Sequence, residues 1–205
     1  MIVSSHKSIF FLNLENNIQL NSPQLIFIGG NLSYFTSENA LLKLRTIMQI
    51  NYIEGFKKII IIFWMLWWFI ALWTDIVGAM AHAGLLTKSW AQDLNYPFLV
   101  QSLKIYPIPD WLPVLLFLGI LLWSFVATIA FFWACMSLHK NSAIWMKRAD
   151  IAFVISITYW LAFFLSDQIV MKFDLEENHM VQGGFQLLTY LTLYLLPSEK
   201  RTSVA

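Results

Sequence analysis

The chain is 205 residues long, 59% apolar and only 12% charged, about half the charge of a typical soluble domain, so it cannot build a solvated surface and lipid must cover most of it. A net charge of +1, with basic residues scattered rather than banked among aromatics, leaves no electrostatic footprint for a nucleic-acid partner. The single cysteine, Cys135, excludes an intrachain disulfide, a thiolate metal cluster and a dithiol redox centre, and its ordinary role inside an apolar run is packing.

Residues 1–47 stand apart: they hold six asparagines and no tryptophan, whereas all ten tryptophans fall between Trp64 and Trp160. The stretch lacks the basic start, apolar middle and small-residue cleavage site of a secretory signal. Two readings of it remain: a poorly ordered cytoplasmic extension, or sequence upstream of a true start at Met48. The second is preferred, with 48–205 as the membrane domain. The first predicted span follows Lys57 and Lys58 and covers about 59–80, long enough at 1.5 Å per residue to cross a hydrocarbon core of about 30 Å. The loop over 84–110 carries Pro97, Pro107 and Pro109 with Trp90, Tyr96 and Tyr106, a mixture that suits the headgroup region. The second span covers about 111–138, with Pro113 in its first turn, where a missing N–H costs little. After a connector at 139–148 come a third span at 151–170 and a fourth at 181–196, which Pro197 stops.

Orientation follows from flanking cations, because Lys and Arg resist translocation. Lys57, Lys58, Lys140, Lys147, Arg148, Lys200 and Arg201 fall on one side, against Lys88, Lys104 and Lys172 on the other. The predicted fold is therefore an all-α membrane protein, a four-helix bundle of up-down-up-down order with both termini cytoplasmic. Multi-pass insertion in a cytoplasmic (inner) membrane follows, since no Arg-rich transit segment precedes the spans.

Asp75 and Asp167 each lie 16 residues into an outward-running span, which places both about 24 Å up, at one depth near the outer boundary. Asp75, Gly78, Ala79 and His82 share a helical stripe, and small residues belong at helix contacts. Beyond Asp167 the segment 174–179 adds Asp174, Glu176, Glu177 and His179 to the same side. Glu176 and His179 stand in the Glu-x-x-His spacing that carboxylate-bridged metal sites use in helix bundles, but the motif occurs once. Asp75, His82 and Asp167 would have to complete the ligand set. These seven residues form one candidate polar cluster on the outer face. Its bland reading is helix-end anchoring by interfacial acids. Its functional reading is a metal, proton or quinone site, with Asp75 and Asp167 facing each other as a proton-holding pair.

The tryptophans of the first span are read as core packing rather than a cofactor cage, and Trp111 and Trp145 as interfacial anchors. Gly183 and Gly184 are read as a close helix contact, since no phosphate-loop sequence accompanies them. No His-Glu-x-x-His, Gly-x-Ser-x-Gly or paired CxxC sequence occurs, so the usual hydrolase and thiol-redox classes lack their minimum residues. With His82 and His179 near one surface and His139 near the other, axial ligands for a bridging haem are not at hand. In span order, with Thr74-Asp75 near the outer end of the first span and a Gln-Gly-Gly-Phe start at Gln182, the layout resembles small bacterial integral membrane proteins. That likeness assigns no residue roles.

The leading expectation is a non-catalytic subunit or accessory factor of a membrane complex or envelope process. Its partners would be the bilayer and either another protein or further copies of itself, with no nucleotide or nucleic acid and no cofactor required by the sequence. The alternatives are a metal- or quinone-linked membrane oxidoreductase using the outer-face cluster and an oligomeric proton-coupled carrier.

Overall fold

A computed structural model of the protein describes residues 24–28, 31–35, 37–87 and 94–197. The chain divides into two compact units, Met1–Tyr52 and Ile53–Ala205. In the first, strand β1 (Gln24–Ile28) pairs antiparallel with β2 (Asn31–Phe35), Gln24 opposite Phe35 and Ile28 opposite Asn31. The dipeptide between them in the sequence is Gly29-Gly30. Helix α1 begins at Ser37 and runs to His82, so the boundary read at 47/48 falls within a helix. Residues 1–23 of the expected extension lie outside the described residues.

The regular elements among the described residues of the second unit are all helices. They are α1 from Ile53 onward, α2 (Asn95–Leu103), α3 (Trp111–Cys135), α4 (Ser142–Val170) and α5 (Phe173–Leu195). Three stretches among the described residues are long and apolar enough to cross a membrane: Leu44–His82 of α1, all of α3 and all of α4. The predicted fourth span lies in α5, whose glutamines, threonines and acidic first turn take its average polarity outside that class.

Local chemistry explains where the helices depart from the predicted spans. The α3 helix stops three residues early because its exit tightens into i→i+3 bonds, Ser137 N–H to Ala134 O at 3.0 Å and Leu138 N–H to Cys135 O at 3.0 Å. The α4 helix starts nine residues early because Asn141 caps it, its side chain accepting the Ala143 N–H at 3.0 Å. At its far end Met171 takes a left-handed conformation (φ 55°) and the Lys172 N–H bonds to Asp167 O at 3.0 Å, the Schellman arrangement. Only Met171 and Lys172 then separate α4 from α5, and 174–179 lies in the first turns of α5.

The contacts between helices run in opposite chain order. From α3 to α4, Trp133 meets Arg148, the Phe131 and Phe153 rings lie 5.1 Å apart, and Trp123 Nε1 donates to Ile155 O at 3.0 Å. From α4 to α5, Asp150 meets Tyr194, Phe153 stacks on Tyr190 and Trp160 reaches Gln186. The α1 helix engages both neighbours through indoles. Trp64 Nε1 donates to Thr189 Oγ1 at 2.8 Å, and the Trp68 ring packs edge-on against Tyr159 at 5.1 Å. Thr128 Oγ1 of α3 lies 3.0 Å from Trp68 O and 2.8 Å from Ser124 O. Trp64, Trp68, Phe131, Trp145 and Phe153 fill the centre, large rings whose dispersion contacts hold helices together where lipid offers no hydrophobic drive. Packing is thus the role of Trp64, Trp67 and Trp68 in the first span, whereas Trp73 is exposed. Trp145 departs from its interfacial assignment: it is 1% exposed and lies in the core, whereas Trp111 is exposed.

Candidate functional site

The α4 core face is set by Ala149, Ala152, Phe153, Ser156 and Trp160, and helical spacing carries it on to Asp167, which is 3% exposed. On α5, His179, Gly183, Gln186 and Leu193 recur at i, i+4, i+7 and i+14, and the last three are buried. The two faces meet. His179 Nδ1 lies 2.5 Å from Asp167 Oδ2; since a carboxylate oxygen and a bare imidazole nitrogen would repel, the bond must contain a proton. Phe163 and Trp160 wall the imidazole at ring distances of 4.6 and 5.9 Å. One and two turns deeper, Gly183 lets α5 approach Trp160, and the Trp160 Nε1–H donates to Gln186 Oε1 at 2.7 Å.

The remaining candidates sort into separate contacts. Asp75 accepts from Asn95 Nδ2 at 2.5 Å, and the His82 ring lies 4.4 Å from Tyr96, which itself packs on Phe117 of α3 at 5.4 Å. The stripe bearing Asp75 and His82 therefore addresses α2. Glu176 accepts from Gln168 Nε2 at 2.6 Å, while Asp174 and Glu177 are exposed, in the first turns, where a helix N-terminus favours acids. Asp75 and Asp167 thus take different partners, and the expected proton-holding pair is replaced at Asp167 by a carboxylate–imidazole pair. Among the described residues no group of three or more His, Cys, Asp or Glu side chains is placed to hold a metal ion. Glu176 and His179, one turn apart, bond to neighbouring residues of α4 rather than to a shared point.

Among these contributors Gln186 was not singled out in the sequence, and Lys57 was counted only as a flanking cation. Gln186, a glutamine within an apolar run, carried a legible signal, because an amide at membrane depth needs a partner on another helix. Trp160 supplies that partner. Lys57, which the flanking-charge argument counts as a cytosolic cation, is buried, and its Nζ donates to Leu196 O at 2.8 Å at the C-terminus of α5, where a cation meets the negative end of the helix dipole. Gly183 is the close-contact glycine; Gly184, read with it, faces open space. Cys135 is half-buried against the core, as a packing thiol would be. No protein family, curated protein or solved structure matches the chain.

Proposed function

We propose that α1, α3, α4 and α5 cross a cytoplasmic (inner) membrane as a four-helix bundle of up-down-up-down order with both termini in the cytosol. In this reading the protein acts as a non-catalytic subunit or accessory factor of a membrane complex or envelope process. The crossing of α5 is supported by how its polarity is distributed. His179, Gln186 and Thr189 turn inward and bond Asp167, Trp160 and Trp64, and Thr192 returns its hydroxyl to Leu188 O. Met180, Val181, Phe185, Leu187, Leu188, Leu191 and Leu195 are exposed. Beyond its acidic first turns the helix is apolar on its outer face and turns its polar side chains inward, so its average hydropathy understates its fitness for lipid. Its 23 residues extend about 34 Å, enough for the hydrocarbon core.

One observation supports the non-catalytic reading: polar side chains at depth are spent on ties between helices, while the buried Trp68 Nε1, Trp145 Nε1 and Gln186 Nε2 have no hydrogen-bond partner among the described residues. Asp167 with His179, Gln186 with Trp160, Trp64 with Thr189 and Lys57 with Leu196 O each join two helices. These residues hold the bundle together and leave apolar side chains facing outward, which either lipid or a neighbouring membrane protein can cover. Purification from native membranes in mild detergent, followed by native and quantitative mass spectrometry, tests this. A partner at fixed stoichiometry is the expected result. A partner-free species carrying stoichiometric metal or quinone, or one that moves protons in liposomes, would overturn it.

A further inference from the structure

At the α3–α4 end of the bundle, cationic groups gather without acidic partners among the described residues. Arg148 is partly buried on one flank of α4, its guanidinium carbon 4.4 Å from the centroid of the Trp133 ring and its Nη1 3.4 Å from Trp133 O. Stacking of this kind fixes a guanidinium plane while leaving most of its five N–H donors unspent. Lys147, next along the helix, and Lys140 in the connector are exposed. The described acids of the same end are committed elsewhere: Asp150, on the opposite flank of α4, accepts from Tyr194, and Glu54 pairs with Lys58 at 3.3 Å. Beside and beneath Arg148 the outward surface is apolar, with Trp133 42% and Ile151 41% exposed.

We propose that this patch binds the headgroup of an anionic phospholipid, with Arg148 as the phosphate-binding residue, Lys147 and Lys140 adding attraction, and the acyl chains lying along Trp133 and Ile151. Charge complementarity selects the occupant. A planar guanidinium matches phosphate oxygens in a bidentate fork. An interfacial indole beside it sits at headgroup depth, and the apolar strip continues towards the hydrocarbon core, which a soluble anion would leave bare. The inference requires only that this end of the bundle lie at a membrane surface; it holds whether or not the protein is an accessory subunit.

The test uses the full chain purified in a neutral detergent. Phosphatidylglycerol or phosphatidylcholine is added at matched concentration and bound lipid is counted by native mass spectrometry. Each cation near an anionic headgroup contributes about fivefold in affinity, so phosphatidylglycerol should be retained at least fivefold better than phosphatidylcholine. Arg148→Gln should remove about fivefold or more of that preference and Arg148→Lys a smaller part, while Lys104→Gln at the other end should leave it unchanged. Trp133→Leu should weaken retention as well. Should that variant misfold, the two Arg148 substitutions decide alone. Equal retention of both lipids overturns the proposal, and so does an undiminished preference in Arg148→Gln. Displacement of the bound lipid by millimolar inorganic phosphate would reassign the patch to a soluble anion and overturn it too.

Discussion

Replacing Gly183 by alanine adds one methyl group where the structure has no room for it. A Cβ built there would lie 2.9 Å from Trp160 Cβ, 3.1 Å from Trp160 Cγ and 3.5 Å from Phe164 Cζ. The first two atoms sit at the root of a side chain that is 4% exposed and tethered by its indole to Gln186 at 2.7 Å, so no distal rotamer change relieves the clash. The helices must part by several tenths of an ångström or more. Overpacking of this kind costs about 1–3 kcal/mol, and if the Trp160–Gln186 bond breaks, buried polar groups lose their partner at about 1–3 kcal/mol more. Gly184 supplies the internal control. Nothing lies within 4 Å of a Cβ built at Gly184, and alanine in a helix is favoured over glycine by about 0.5–1 kcal/mol. Equilibrium unfolding in mixed micelles, followed by tryptophan fluorescence, should therefore show opposite signs for two adjacent glycine-to-alanine changes: Gly183→Ala destabilising, Gly184→Ala neutral to stabilising. Equal effects, or a Gly183→Ala protein as stable as the parent, would refute the packing described for α4 and α5.

Other substitutions probe the ties individually. Asp167→Asn and His179→Phe should each destabilise the bundle by about 1–3 kcal/mol, and a double-mutant cycle should return a coupling energy of about 1 kcal/mol or more; strict additivity would show that the pair does not interact. Lys57→Met should cost about 1 kcal/mol through loss of the donor on Leu196 O, whereas Lys58→Met, which breaks only a surface i,i+4 pair, should cost about 0.5 kcal/mol or less. Unfolding midpoints of the two variants give the comparison, and equal losses would count against a buried helix cap. At Met171, whose left-handed backbone strains an L side chain, glycine should be tolerated without loss while valine should cost about 1 kcal/mol or more. Matching stabilities for those two variants would contradict the Schellman ending of α4.

Much of the frame is legible in the residues because hydrocarbon imposes one strong rule: continuous apolar runs become helices. That rule locates the crossings in α1, α3 and α4 and the break at Val170. It fails where local chemistry rather than average polarity decides. Asn141 adds two turns to α4 through a cap, and the Met171-Lys172 link needs no glycine or proline to reverse the chain. The β1–β2 hairpin is announced only by Gly29-Gly30 between two apolar runs, a signal too short to outweigh the asparagine-rich composition around it. At the candidate site, helical periodicity places Asp167 and His179 on inward faces, but it cannot say which inward residue of one helix meets which of another. Depth alone suggested Asp75 as the partner of Asp167. The two-residue link instead brings the first turns of α5 directly alongside the last turns of α4, and His179 reaches the carboxylate. Lys57 shows a related limit: a cation at a span boundary reads as a topology marker, and its second role as a cap is visible only once the neighbouring helix end is placed.

The central claim, that α5 crosses the membrane as a helix with its polar side turned inward, is tested most directly by cysteine accessibility. In a Cys135→Ser background, single cysteines at Lys140, Glu177 and Ser198 would be treated with a membrane-impermeant maleimide, in intact cells with a permeable outer envelope and in inside-out vesicles. The account predicts labelling of Glu177→Cys from the outer face, and of Lys140→Cys and Ser198→Cys from the cytosolic face only. If Ser198→Cys reacts from the same side as Glu177→Cys, α5 does not cross and the four-helix bundle is wrong.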